Sequence, residues 1–185
     1  MHPLQVGQLL SEHGTLRPQS ERDWTGPFEL PQQLSAFYQE VGPHDLRIRG
    51  YGNPYFLPAL AGLWDFQAGY RWNALTRERV PDWNDDWLVV AAEDGDAFIL
   101  SRSTGVILFA RHGQGVWRPG EIFPDVNAMA ACLASLGSII RDAGATFTDD
   151  DSLIRPEHRV RATHQVSAIL GSDVLAADVL STLGW

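Results

Sequence analysis

The stretch "WLVVAAEDGDAFILSRSTGVILFA", Trp87 to Ala110, leaves few folds open to this chain. Trp87–Ala92 is apolar on both alternating faces, the pattern of a central strand covered from both sides. "AFIL" and "VILFA" follow as two further apolar runs, separated by "SRSTG", where Gly105 supplies the positive φ that a tight turn needs. Three strands so close in sequence form an antiparallel meander over about residues 87–110.

Between the first two runs lie Glu93, Asp94, Gly95 and Asp96. Three carboxylates within four residues raise three readings: a metal site, an acid/base pair, or a turn. A calcium loop spreads oxygen ligands over about twelve residues and ends in a bidentate glutamate. Here the ligand types stop at Asp96, and strand residues follow. Asp-Gly between apolar runs is a strong short-range hairpin signal, so the stretch is read as a turn.

Helices bracket the meander. A short helix is predicted over Leu4–Glu12, with Leu9 and Leu10 on its apolar side, and "TLRPQSERDWTGPF" then reads as loop. "LPQQLSAFYQEVG" opens on Pro31 and closes on Gly42, with Leu34, Phe37, Tyr38 and Val41 on one face. "DLRIRG" alternates as a half-buried strand. The aromatic-rich segment Tyr51–Asp86 is assigned a short strand near Leu60–Trp64 and a helix over Phe66–Thr76. "GVWRPGEIF" reads as a short extended piece kept to an edge by Pro119. From the N-cap Asp125, Val126, Met129, Ala130, Leu133, Gly137 and Ile140 form one helical stripe. A polar linker, "TFTDDDSLIRP", leads to helices over Glu157–Leu170 and Asp173–Leu183. The second is capped by Ser172, with Leu175, Val179 and Leu183 recurring every four residues. The expected class is α+β, an antiparallel-rich sheet flanked by helices with a helical C-terminal extension. Its expected parts are an irregular N-terminal segment (1–26), an α+β domain (27–144), and a linker with C-terminal helices packing on that domain (145–185).

At 185 residues the chain can bury about 70% of its unfolded surface and needs no staples. Its one cysteine, Cys132, sits among small apolar residues, where a buried inert thiol is the default. With no run of about 18 apolar residues and no leader-like start, the chain is read as soluble and cytoplasmic. The formal net charge is −9, and every one of the 14 basic residues is arginine. That balance repels phosphate backbones and anionic lipid, and favours a basic protein partner.

The search for chemistry ends without a constellation. No histidine pair has zinc-ligand spacing, G-x-S-x-G is absent, and "GVILFARHGQG" fits no phosphate-binding loop. Arg111 and His112 at a strand end fit either a site or an exposed turn. Asp149–Asp151 reads as a solvated tether. "DWNDDW", Asp82 to Trp87, sets three carboxylates among two tryptophans. It suits either a surface for a basic partner or tryptophans packed into the core, of which the core is favoured for the rings.

Taken together, "LPQQLSAFYQEVG", the loops with "YRWN", the tryptophan-led strand with its Gly95–Asp96 turn, and the closing helix "PDVNAMAACLASL" resemble the SUKH superfamily. That group includes a fungal cell-wall-assembly regulator and many bacterial immunity proteins that neutralise toxins. The resemblance spans roughly Leu30 to Leu136, and the "EDGD" turn carries less glycine than is usual there. It implies an α+β fold and a non-enzymatic binding role, often toward a toxin and frequently a nuclease. It brings no catalytic residues, metal or cofactor.

The sequence therefore leads to a protein-binding module of the immunity type. Its expected partner-binding residues are Asp82, Asp85, Asp86 and Asp94, with Trp83 as an aromatic anchor and a basic, nuclease-like toxin domain as partner. No nucleic acid, membrane, metal or cofactor is expected. The alternative is a regulatory or scaffolding protein that self-associates through its C-terminal helices, and a small hydrolase-type enzyme ranks last.

Overall fold

The computed structural model describes residues 2–185. Six strands form one sheet in chain order: β1 (Leu46–Ile48), β2 (Tyr55–Leu57), β3 (Trp87–Glu93), β4 (Asp96–Ser101), β5 (Ile107–Ala110) and β6 (Gly120–Phe123). Every neighbouring pair is antiparallel. The helices are α1 (Pro3–Ser11), α2 (Gln32–Glu40), α3 (Val126–Ala143), α4 (Pro156–Leu170) and α5 (Asp173–Thr182). The fold is α+β, and the predicted three-strand meander is its centre. β6 starts directly after Pro119 and forms one edge of the sheet, where a residue without an N–H is tolerated.

β3 is covered on both faces, as its unbroken apolar run requires. The β3–β4 register shifts between Val89 and Ala91, which makes Val90 a bulge. Val90 and Ala91 consequently both face the main core, while Val89 and Ala92 face the opposite side. The main core joins the sheet to all five helices through residues such as Val6, Leu34, Leu133, Val166 and Val179. A second, smaller core packs Tyr70 and Trp83 on Val89, Ala97, Ile99 and Ala110.

α3 is buried on far more than its predicted stripe, with every residue from Ala128 to Gly137 inside. Asp125 caps it, accepting from the Ala128 N–H at 2.8 Å. Gly137 lets β1 approach: a Cβ there would lie 2.3 Å from Ile48 Cγ2. The predicted N-terminal helix forms as α1 and sends Val6 and Leu10 into the main core, with Leu9 only half-buried. The C-terminal helices are likewise integral. Ala162, Val166, Ala176, Val179, Leu180 and Leu183 belong to that core, while Leu175 turns outward at 45% exposure.

The segment between β1 and β3 departs most from expectation. The strand is Tyr55–Leu57, held between Pro54 and Pro58, and Leu60–Gly62 is a single 3-10 turn. Leu60 and Leu63 are both buried, the i, i+3 alignment that a 3-10 turn creates. No helix spans Phe66–Thr76. After a 3-10 turn at Asp65–Gln67 the chain bends at Gly69 (φ 92°), a conformation that a continuous helix excludes. No helix among the described residues is long and apolar enough to cross a membrane.

Candidate functional site

Asp85 and Asp86 lie just before β3, and Asp94 just after it. Seven strand residues at about 3.3 Å each set them on the order of 20 Å apart, while Asp82 lines a separate depression with Arg111, His112 and Trp117. The structure therefore does not bring the five predicted site residues together.

At the first end, the carboxylates fasten loops. Asp85 lies 2.7 Å from Arg71 and 3.1 Å from Arg79. Asp86 accepts from Ser101 Oγ (2.7 Å), Ser103 N (2.9 Å) and Ser103 Oγ (3.0 Å), and so ties the β4–β5 turn to the start of β3. Asp82 accepts from the Trp117 N–H at 2.6 Å. Trp83 is 1% exposed, with its ring among those of Tyr70, Trp87 and Trp117. It is a core residue and not the expected surface anchor, because its ring is closed off from any partner. The surroundings of Asp85 are rich in arginine rather than acid.

The other end differs. Asp94 (φ 46°) and Gly95 (φ 95°) form a two-residue turn with positive φ at both positions, the hairpin turn that Asp-Gly favours. Its register sets Glu93 directly opposite Asp96. Asp96 is committed, with one oxygen accepting from both the backbone N–H (2.8 Å) and Nδ1 (2.7 Å) of His112. Asp94 is exposed and accepts from Asn53 Nδ2 at 3.3 Å. Arg111 donates to the Thr182 carbonyl at 3.0 Å, which holds the end of α5 beside the hairpin.

These elements enclose a concavity of about 300 Å³, open to solvent and lined by Tyr51, Asn53, Glu93, Asp94, Arg111 and His112, among others. Glu93 is half-buried, and no side chain or backbone N–H of the described residues donates to its carboxyl. Burial, reinforced by Asp96 and more weakly by Asp94, pushes that carboxyl up to about 7 against the opposing effect of Arg111. A carboxyl so placed binds a cation or transfers a proton near neutrality.

Of the predicted residues, only Asp94 borders this concavity. Glu93 and Asp96 lie in the stretch that the sequence reads as a turn, Arg111 and His112 fit there either a site or an exposed turn, and none of the four belongs to the expected partner-binding set. For Glu93 and Asp96 the revealing signal is register: a two-residue turn at Asp94–Gly95 places them opposite each other on one face. Among the described residues, no group of three or more His, Cys, Asp or Glu is arranged to hold a metal ion. Cys132 is buried and free, and burial pushes its thiol up. Protein-family models, the curated proteins and the solved structures give no match to this chain.

Proposed function

We propose that the chain is a protein-binding module of the immunity type that receives a basic partner at the β3–β4 hairpin end. The observation that carries this reading is Glu93. Its carboxyl faces a concavity, is crowded by Asp96 and Asp94, and lacks a donor from its own chain. A lysine or arginine from a partner supplies the missing counter-charge. The net charge of −9 steers a basic partner toward it. The resemblance of Leu30–Leu136 to the SUKH superfamily supports the same reading, and within it the partner is a toxin domain, nuclease-like in its basic character.

The test uses immobilised wild-type chain and a Glu93→Gln/Asp94→Asn variant, each exposed to lysate of the source cells. The wild type is expected to retain a basic protein near one-to-one, releasing it as salt rises, and the variant to lose it. Equal retention by both chains sinks the reading.

Two observations favour second readings. Glu93 near neutrality beside the Asp96–His112 pair suits acid–base chemistry on a small substrate. Small molecules that perturb Glu93 and His112 signals, with no basic protein retained, would favour it. Val160 (69% exposed) and Val174 (71%) leave apolar groups on α4 and α5 for self-association in a scaffold. A concentration-dependent dimer abolished by Val160→Glu/Val174→Glu would favour that alternative. Deleting 145–185 is no test of it, because these helices complete the main core.

A further inference from the structure

At the opposite end of β3 lies a groove of about 490 Å³, lined by Trp64, Trp72, Arg71, Arg77, Arg79 and Asp85 among others. Three guanidiniums face one carboxylate there, a local cationic excess on a chain of net charge −9. The components divide by role. Arg71, with a side chain 15% exposed, lies over the Trp64 ring at 5.7 Å and is pinned by Asp85. Arg79 also meets Asp85 but keeps 58% of its side chain exposed. Arg77 is exposed and forms no ion pair with a carboxylate among the described residues.

The loop carrying Arg77 is ordered by its own hydrogen bonds. Asn73 Oδ1 accepts from the Leu75 and Thr76 N–H groups (2.8 and 3.0 Å), and the Arg77 N–H donates to the Asn73 carbonyl (2.9 Å). Arg77 is thereby held in the left-handed region at φ 62°, an uncommon conformation for a residue with a side chain. Leu75, at the tip of the same loop, is 93% exposed.

We propose that this groove docks an acidic segment of a protein partner, carboxylates on Arg77 and Arg79 and an apolar side chain on the tryptophan pair. Guanidiniums grip carboxylates bidentately, and partly exposed tryptophans give contact area at small entropic cost. The ring geometry excludes a nucleobase sandwiched between the two tryptophans, and the net charge of −9 opposes a phosphate backbone. A slot that sandwiches a planar group needs walls roughly 7 Å apart, twice the ~3.5 Å carbon contact distance. Trp64 and Trp72 stand 4.9 Å apart at 56°, so they form a surface and not a slot.

The probe is a fluorescein-labelled peptide of alternating glutamate and phenylalanine, read by anisotropy, with a lysine–phenylalanine peptide and a short single-stranded RNA as comparisons. The wild-type chain is expected to bind the acidic peptide in preference to both. Arg77→Asn removes the exposed cation while suiting the left-handed backbone better, so misfolding does not explain a loss. It is expected to weaken acidic-peptide binding about tenfold, while Arg118→Asn, which removes an exposed cation outside the groove, leaves it unchanged. Equal binding by wild type and Arg77→Asn, preference for RNA or the basic peptide, or no saturable binding each overturns the proposal.

Discussion

The side-chain amide of Gln67 forms a two-way hydrogen bond with the backbone of Val89, donating to its carbonyl and accepting from its N–H, both at 2.9 Å. β2 pairs with β3 only at Glu93 and Ala92, so the β3 edge beside the bulge lacks a strand partner. Gln67 stands in for the missing peptide group. It also donates to the Leu63 carbonyl at 2.9 Å and is fully buried. One residue thus fastens the aromatic excursion to the centre of the sheet.

Gln67→Leu fills similar volume but leaves the Val89 N–H and carbonyl buried without partners. Each such group costs about 1–3 kcal/mol, so a loss of about 2–6 kcal/mol is expected in urea unfolding. A loss below about 0.5 kcal/mol would show that water or a shifted β2 takes over the pairing.

Gly137→Ala tests the close approach of β1 to α3. The new methyl would meet Ile48 Cγ2 at 2.3 Å, and Arg49 O and His13 Cε1 at 3.1 Å. Overpacking of this kind costs about 1–3 kcal/mol, which outweighs the helix-propensity gain of about 1 kcal/mol for alanine over glycine. A lowered Tm is expected, whereas the same change at Gly7 on α1, where nothing lies within 4 Å, should raise it.

Gly95→Ala and Asp94→Asn separate folding from binding at the hairpin. Gly95 sits at φ 95°, and a Cβ there would meet the His112 ring at 3.3 Å, so alanine should destabilise by about 1–2 kcal/mol. Asn suits the left-handed position of Asp94 as well as aspartate does. Asp94→Asn should leave unfolding within about 0.5 kcal/mol of wild type while weakening capture of a basic partner.

Glu93 makes stability fall as pH rises. Its folded value near 7 exceeds the ordinary 4.5, so the folded chain holds the extra proton between these values. The native state is therefore penalised progressively from pH 4.5 upward, in full above about 7. Solvent screening at a half-exposed group limits the effect to about 1 kcal/mol, or about 2–4 °C in Tm. Glu93→Gln should raise Tm at pH 8 and leave it nearly unchanged at pH 4.5. An equal shift at both values would point to packing instead of charge.

Where hydrophobic period and turn chemistry agree, the fold is legible in the sequence. The unbroken run of β3, the Asp94–Gly95 turn and the Asp125 and Ser172 caps are local signals that the structure realises. The segment 51–86 is opaque because its order is tertiary. Its aromatic rings are divided between the two faces of the sheet, Tyr55 in the main core and Tyr70 and Trp83 on the far side, and Gln67 reaches a strand 22 residues away. The candidate site divides in the same way. The carboxylates at 82–86 look like a surface because composition shows charge but not partners, and arginines and serines distant in sequence engage Asp85 and Asp86. Glu93 is readable from hairpin register, yet its concavity depends on α5 and Arg111, which sequence alone does not bring together.

The most direct measurement is an NMR titration of the Glu93 carboxyl carbon in the intact chain, alone and with a hexa-arginine peptide. A midpoint near 7 that falls toward the ordinary carboxylate value of about 4.3 as peptide is added is the expected result, because the cation supplies the missing counter-charge. A midpoint already near 4.3 in the free chain, or one near 7 that the peptide leaves unmoved, would contradict a cation-receiving site at the hairpin.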